Sequence, residues 1–412
     1  MTLSIPDTEV LIFFGETATG DGIFTLDDPV RGELDSIYVL GGDTGSDVSG
    51  TINAYSFERG RDALLFDAVD PATGAIQMNN EDRTYDPLHA AGPYFGDIRP
   101  GKRVTITVEG VTVFDGRVAD WNLDPQVSGR NVAQATLEDA LAVLGRQQFD
   151  EWTTTGGQTA GDRYDDILNR SEVAWNGGAR DIDTGVSTLQ ADVVSWGSNV
   201  LNYCQLVAVS DLGLFFASRD GLLTFRDRHA TIGAESVASF GGSGIGFTGV
   251  SITFGSEVFY TRVSVDREGG TAQTVESANT ATDGIIPLSL TGLLQDSDSQ
   301  ALDMATFLAN VYATGDAYIS SITIDLNTIT HTTDDIQAIC RLDLADVVDV
   351  YFIPNDVGFP IEQSLVVYGI RHDRDPESHI VTLTLGRLEQ SWPFILDDPV
   401  LGVLDGDSLL TF

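Results

Sequence analysis

"FDGRVADWNLDP", Phe114 to Pro125, runs on into "VAQATLEDAL", Val132 to Leu141, and a passage far downstream has the same build. That second passage is "VYGIRHDRDP", Val367 to Pro376, followed by "IVTLTLGRLE", Ile380 to Glu389. Each opens as a strand containing a glycine (Gly116, Gly369) and reaches an Asp-Pro turn (Asp124-Pro125, Asp375-Pro376). Each then returns as an alternating strand carrying Thr-Leu (Thr136-Leu137, Thr382-Leu383). Alternation sends successive side chains to opposite faces, so each passage reads as a β-hairpin with one buried face. Proline cannot donate to a ladder, which suits the bend and not the strand. Two copies of one hairpin predict an internally duplicated β unit.

Working outward from the first copy, "RVTITVEGVTVFDG" alternates through Val104, Ile106 and Val108 and turns at Glu109-Gly110. "SIYVLGG" and "GTINAYSFERG" read as strands before it, and "NVAQATLEDALAVLG" passes from strand to a short helix stopped by Gly145. Around the second copy, "VSITFG", "FYTRVSVDRE", "AYISSITIDL" and "DVVDVYFIP" read as strands. One helix interrupts them, "SDSQALDMATFLANVYA". Ser297 with Gln300 predicts its capping box, and Leu302, Ala305, Leu308 and Tyr312 its inner face. Residues 146–240 differ in character. "GDRYDDILNRSEVAW" is an amphipathic helix with Tyr164, Ile167 and Leu168 on one face; "SNVLNYCQLVAVS" is a second, capped by Ser198. "GLFFASRDGLLTFRDR" is two strands about Asp220-Gly221. The expected fold is mainly β (α+β): related β-barrels at 37–145 and 241–390, separated by a small α/β insert domain at 146–240.

A phrase stands near each end of the chain: "FTLDDPVRGELD" from Phe24 and "FILDDPVLGVLD" from Phe394. Residues 1–36 are turn-rich and hold the first copy; residues 391–412 hold the second. A catalytic loop is rarely needed twice, whereas a docking element is, so the duplication points to assembly. Phe24, Leu26 and Val30, with Phe394, Leu396 and Val400, are the candidate apolar anchors. Asp28-Pro29 and Asp398-Pro399 would fix the turns between them. The second, compatible reading makes each phrase a segment packed over an edge of its own barrel.

The 412 residues carry 62 acidic against 22 basic side chains, a net charge of −40, and Lys102 is the sole lysine. No Lys/Arg field exists to displace phosphate counterions, so nucleic-acid binding through a basic surface is not expected. The excess acid reads either as a wall that repels polyanions or as adaptation to high salt; a GC-rich genome would also replace Lys with Arg. Hydrophobic content of 42% fits a globular protein. Cys204 and Cys340 lie singly in apolar runs and read as buried thiols, so neither a disulfide scaffold nor a zinc site is expected. No stretch approaches the roughly 18 apolar residues of a membrane span, and the N-terminus lacks a signal peptide's basic region. A soluble protein made in the cytoplasm is the expectation.

Little in the chain asks for chemistry. Gly244, Gly246 and Gly249 spell GxGxxG, but "VSITF" follows where a phosphate cradle needs a helix, so a linker is expected. Asp181, Asp183 and Gly185 in "DIDTG" lack the downstream glutamate of a calcium loop and read as a turn. His372 and His379 flank "DRDPES" and should pack across a hairpin, since no third metal ligand is evident. No GxSxG elbow or HExxH occurs, and no carboxylate pair stands out. No catalysis, cofactor or resident metal is expected.

Five passages together resemble minor tail proteins of long-tailed phages and related archaeal tailed viruses, the class that forms the central tail-tip (baseplate) hub. They are "RTYDPLHAAGPYFGDIRPGKRVTI", "FDGRVADWNLD", "RDIDTGVSTLQA", "GLFFASRDGLLTFRDR" and "RLDLADVVDVYF…YGIRHDRDPESHIVTLTL", in that order between Arg83 and Leu385. The resemblance implies tube-like barrels, two per chain, in a homotrimeric ring of six. It further implies stacking on a distal tail protein ring, contact with tail tube or tape-measure protein and with a tail fibre or receptor-binding protein, and a channel through which DNA passes unbound. The location it implies is the tail tip of a virion assembled in the host cytoplasm. A trimer meeting a hexamer needs two equivalent contacts per chain, which the twin phrases would supply. Rival readings are the distal tail protein itself and a carbohydrate-binding or hydrolysing tail protein. The duplicated barrel argues against the first, and the scattered Trp121, Trp152, Trp175, Trp196 and Trp392 argue against the second.

Overall fold

The computed structural model describes residues 5–14, 45–61, 67–125, 130–173, 175, 178–231, 233–254, 259–312 and 317–388. The protein is mainly β. Its first unit comprises β1 (Thr8–Ile12), β2 (Ser46–Asp47), β3 (Ile52–Gly60), β4 (Asp70–Asn79), β5 (Arg103–Val108), β6 (Val111–Asp124) and β7 (Val132–Glu138), then helix α1 (Ala140–Gly145). The insert follows: β8 (Trp152–Thr153), β9 (Gln158–Thr159), α2 (Ala160–Leu168), β10 (Arg180–Ile182), β11 (Thr188–Leu189), β12 (Val193–Val194), α3 (Val200–Asp211), β13 (Leu214–Ala217) and β14 (Leu223–Arg226). The second unit opens with β15 (Ala238–Phe240) and β16 (Gly249–Thr253). It continues through β17 (Arg262–Arg267), β18 (Gln273–Glu276), α4 (Thr280–Asp283), β19 (Pro287–Leu293) and α5 (Asp298–Val311). It closes with β20 (Tyr318–Asp325), α6 (Thr333–Arg341), β21 (Val347–Phe352), β22 (Ile361–Arg374) and β23 (His379–Arg387).

The two units share one strand order. The first lies β3-β4-β7-β6-β5-β1 and the second β16-β20-β23-β22-β21-β15, strand for strand in chain sequence. They differ at the last member: β1 is antiparallel to β5, whereas β15 is parallel to β21. Each long hairpin strand carries a bulge, between Val118 and Asp120 in β6 and between Val367 and Gly369 in β22. Superposing the bulges sets Thr136 on Thr384, not on Thr382, and Asp120, not Gly116, on Gly369. The slip is two residues on the returning strand, which keeps every side chain on its face and so escapes the alternating pattern; on the outgoing strand it is four residues and spans the bulge.

Both units belong to a single sheet. β3 lies antiparallel along β22, from Gly60 opposite Gly369 to Tyr55 opposite Arg374. The approach at Gly60 is close: a Cβ there would meet Tyr368 O at 2.2 Å, and φ is +125°, so only glycine fits. Among the described residues neither unit closes into a barrel. The inward faces form one apolar core, with Val10, Ile12, Val104, Ile106, Val118 and Leu137 in the first unit and Ile322, Val348, Val367, Val381 and Leu383 in the second.

Several local expectations shift. Thr8–Ile12 is a strand within the segment read as turn-rich, with Val10 and Ile12 buried against β5. The sequence also hid β4, because Pro71 and Gly74 lower its strand propensity. Yet β4 is central, and a Cβ at Gly74 would meet Ser56 O at 2.6 Å. Asn199, not Ser198, caps α3 by accepting from Asn202 N. Ser297 caps α5 by accepting from Gln300 N at 3.4 Å, but the Gln300 side chain binds Thr188 Oγ1, so no reciprocal box forms. Leu302 is 41% exposed; Ala301, Met304, Ala305, Leu308 and Ala309 make the inner face of α5, with Tyr312 buried beyond it. The helix α6 was not anticipated, although Thr332 and Asp335 form a full capping box. The tight turns at Glu109-Gly110 (φ +47° and +76°) and at Gly221 (φ +77°) agree with the sequence.

Candidate assembly surface

The seam between the units is lined with stacked rings. Phe57 of β3 stacks on His372 of β22 at 4.8 Å and tilts against Phe114 at 5.1 Å, while Tyr55 meets the edge of His379 at 5.7 Å. The imidazoles are joined by a 3.1 Å contact between His372 Nδ1 and His379 Nε2, and both rings are buried. Among the described residues His379 Nδ1 has no partner, and the 3.1 Å contact carries a single proton shared between the two rings. Burial first, then Arg374, pushes His379 down to about 3. Burial, then His379 and Arg59, pushes His372 well below the usual histidine range. Both rings are therefore neutral packing groups, as their places in the hairpin suggested. Among the described residues no three potential ligands gather to hold a metal ion.

Arg59, also buried, locks three parts of the chain together. Its Nη1 donates to Asp343 Oδ1 (2.9 Å) and to Ala217 O (3.2 Å), and Asp343 Oδ2 accepts from Arg219 N (2.9 Å). One guanidinium from the first unit thus pins both the insert and the second unit.

The insert is held by its own buried polar groups. Arg163 of α2 is fully buried. It donates to Gln158 Oε1 (2.9 Å), Tyr203 OH (2.8 Å), Thr155 O (2.9 Å) and Gln190 O (2.9 Å). Tyr164, Ile167 and Leu168 are buried as expected, and Tyr164 stacks on Phe215 at 4.6 Å. Asp211 at the end of α3 accepts from Val186 N (3.0 Å) and Ser187 N (2.5 Å), and burial raises its carboxyl to about 6. The "DIDTG" acids serve structure: Asp181 lies in β10, and Asp181 and Asp183 both pair with Arg226. The glycine run at Gly244 and Gly246 leads into strand β16, with no helix to cradle a phosphate. Cys204 and Cys340 are buried free thiols, and burial pushes both up.

The candidate anchors Phe24, Leu26, Asp28, Pro29, Val30, Phe394, Leu396, Asp398, Pro399 and Val400 all lie outside the described residues. Two surfaces that sequence reading passed over are described. One is the outer flank of β16, where Ile252 is 44% and Phe254 76% exposed. The other is the loop before β22, with Val357 and Phe359 projecting. A signal for the first stood in the sequence: "AYSFERG" (54–60) and "GVSITFG" (249–255) keep a serine and a glycine in step. No described helix is long and apolar enough to cross a membrane.

No protein-family model and no curated protein matches the chain. Solved structures do. The 43 kDa tail protein of prophage MuSo2 from Shewanella oneidensis superposes with a TM-score of 0.58 at 13% identity, covering 92% of this chain and 98% of that one. A tail protein of Neisseria meningitidis MC58 gives 0.58 at 12%, covering 92% and 96%. An E. coli component of the type VI secretion system, described as similar to the T4 bacteriophage tail proteins gp27 and gp5, gives 0.50 at 11%, covering 82% and 74%. At such identities the likeness is one of fold. The fold of this chain is that of phage tail proteins, as the five sequence passages implied.

Proposed function

We propose that this chain is a structural component of a viral tail tip. In this reading it is a hub ring that joins the tail tube and distal tail protein to the tip or its fibres and continues the DNA channel. The observation that carries the reading is the duplicated strand order within one sheet. A chain that offers the same unit twice can meet a six-fold ring with three copies, and the likeness of fold to phage tail proteins supplies the setting. Each unit, 37–145 with β1 added and 241–390 with β15 added, forms the wall of one tube-like barrel, and the insert between them stands outside the ring. The phrases in 1–36 and 391–412 dock the ring to its neighbours. The role is non-enzymatic: the buried histidines, aspartates and thiols described above are consumed in packing and hydrogen bonding. Symmetry-resolved imaging of the assembled tail tip tests it, with three copies and six units per ring as the expected result. Six copies, or a ring in which only one unit of each chain lines the channel, would make it a distal tail protein instead.

A further inference from the structure

The internal duplication specifies what belongs along two flanks of the sheet that the described residues leave open. With bulge set on bulge, Trp121, Asn122 and Leu123 of β6 correspond to Ile370, Arg371 and His372 of β22. The ladders carry the match outward. Ser56 faces Ala75, which faces Thr136; Ser251 faces Ser321, which faces Thr384. Ile252, Thr253 and Phe254 therefore correspond to Phe57, Glu58 and Arg59, and the in-step serine and glycine of the two sequences agree.

Within the chain, Phe57, Glu58 and Arg59 lie opposite His372, Arg371 and Ile370. Their counterparts have no such neighbour: among the described residues β16 pairs only with β20, and Trp121 to Leu123 pair only with β7. Burial follows the same line. Phe57 is 1% exposed and its counterpart Ile252 is 44%; Ile370 and His372 are buried, while Trp121 and Leu123 are half-buried. Apolar residues at inward positions of an uncharged edge strand mark a missing strand, since a lasting open edge is normally guarded by charge or proline.

We propose that a second copy of this chain supplies it. β16 of one copy lies antiparallel along β6 of the next, with Ile252 opposite Leu123, Thr253 opposite Asn122 and Phe254 opposite Trp121. The sheet then passes between chains in the register by which β3 and β22 pass it within one. The two flanks are different surfaces, so the contact is head-to-tail, the kind that forms a ring when its rotation closes. Closure at three rests on the hub reading above; the pairing itself does not.

The test uses the full chain with paired cysteines, Cys204 and Cys340 being buried. Leu123→Cys with Ile252→Cys places two thiols directly opposite, at a Cβ separation of about 5 Å. Mild oxidation should give intermolecular disulfides that reductant reverses. Asn122→Cys with Ile252→Cys puts the thiols on opposite faces and should give none. Ile252→Asp should abolish the oligomer and leave a cooperative melt that no longer depends on protein concentration. A chain that stays monomeric and unlinked at every concentration, or links equally in both pairs, overturns the proposal. Rings of three that do not link through the facing pair overturn it and leave the hub reading standing. Facing-pair links in closed rings of another size uphold it and overturn the trimer.

Discussion

His372 and His379 show most directly how burial decides a residue's chemistry. Desolvation holds both rings neutral in the fold, His379 at about 3 and His372 well below its ordinary value, while the unfolded chain protonates them near 6.5. The folded state therefore binds fewer protons in this range. Stability from the pair is complete above pH 6.5 and is lost as pH falls from there towards 3. Asp211 works the other way. Its carboxyl is raised to about 6 by burial, so it favours the fold on acidification from 6 towards 3.8 and opposes it above. Burial raises the carboxyls of Asp139 and Asp346 as well, so the expectation concerns the pair alone: its contribution to stability is lost below pH 6.5. Each ring contributes a slope of about 1.4 kcal/mol per pH unit. Urea unfolding between pH 5 and 6.5 should show that slope reduced by one ring's share in His379→Asn. An unaltered slope would mean that the pair does not govern the acid limb. A metal-binding pair would behave differently, since stabilisation would then depend on added cation.

Among the elements, the sequence was most legible where alternation or helical periodicity runs unbroken. The strands β5, β6, β7, β22 and β23 and the helices α2, α3 and α5 all stand where the pattern put them. What escaped did so for identifiable reasons. In β4 the glycine that the packing requires is also what erases the strand signal. The helix α6 has only Ile336, Ile339 and Cys340 as buried residues, too few for a periodic face without noticing its cap. The repeat was visible but its register was two residues out on the returning strand, because a period of two cannot distinguish the alternatives, and four out on the outgoing strand, where the bulge intervenes. Joining of both units in one sheet was not legible at all, since it depends on Gly60 and Gly369 meeting across the whole chain. The duplicated phrase leads to a prediction at this scale. Every described strand pairing ends at or before Arg387, so truncation after Leu388 should leave the cooperative melt intact while abolishing the proposed docking to a six-fold ring. Phe394→Ala alone should cost on the order of 3 kcal/mol at that contact, roughly a hundredfold in Kd. Loss of the cooperative melt on truncation would show instead that the C-terminal phrase is part of the fold.

For the whole molecule the governing quantity is a net charge of −40. Many described arginines are already committed to carboxylates, as in Arg103–Asp115, Arg262–Glu276 and Arg371–Glu58, which leaves little positive charge to hold a polyanion. A conduit for DNA needs such a wall, because each phosphate neutralised by arginine releases counterions and favours retention. The expected ring therefore has Asp and Glu along its lumen and binds no double-stranded DNA even at low ionic strength. Retention of DNA with a steep salt dependence would end the passive-conduit account. The channel of the proposed ring would take only part of the 62 carboxylates, so the outer surface is expected to be acidic as well. Self-repulsion among those groups is strongest when unscreened. The screening length falls from about 10 Å at 0.1 M salt to about 3 Å at 1 M, and repulsion between neighbouring carboxylates falls with it. The melting temperature should accordingly rise between dilute and molar sodium chloride. Chloride is the informative salt, because sulfate would strengthen apolar burial in any protein. A melting temperature independent of salt would remove adaptation to brine as the cause of the acidity. Arginine-rich coding would then account for the single lysine, and the lumen alone for the selection of acid.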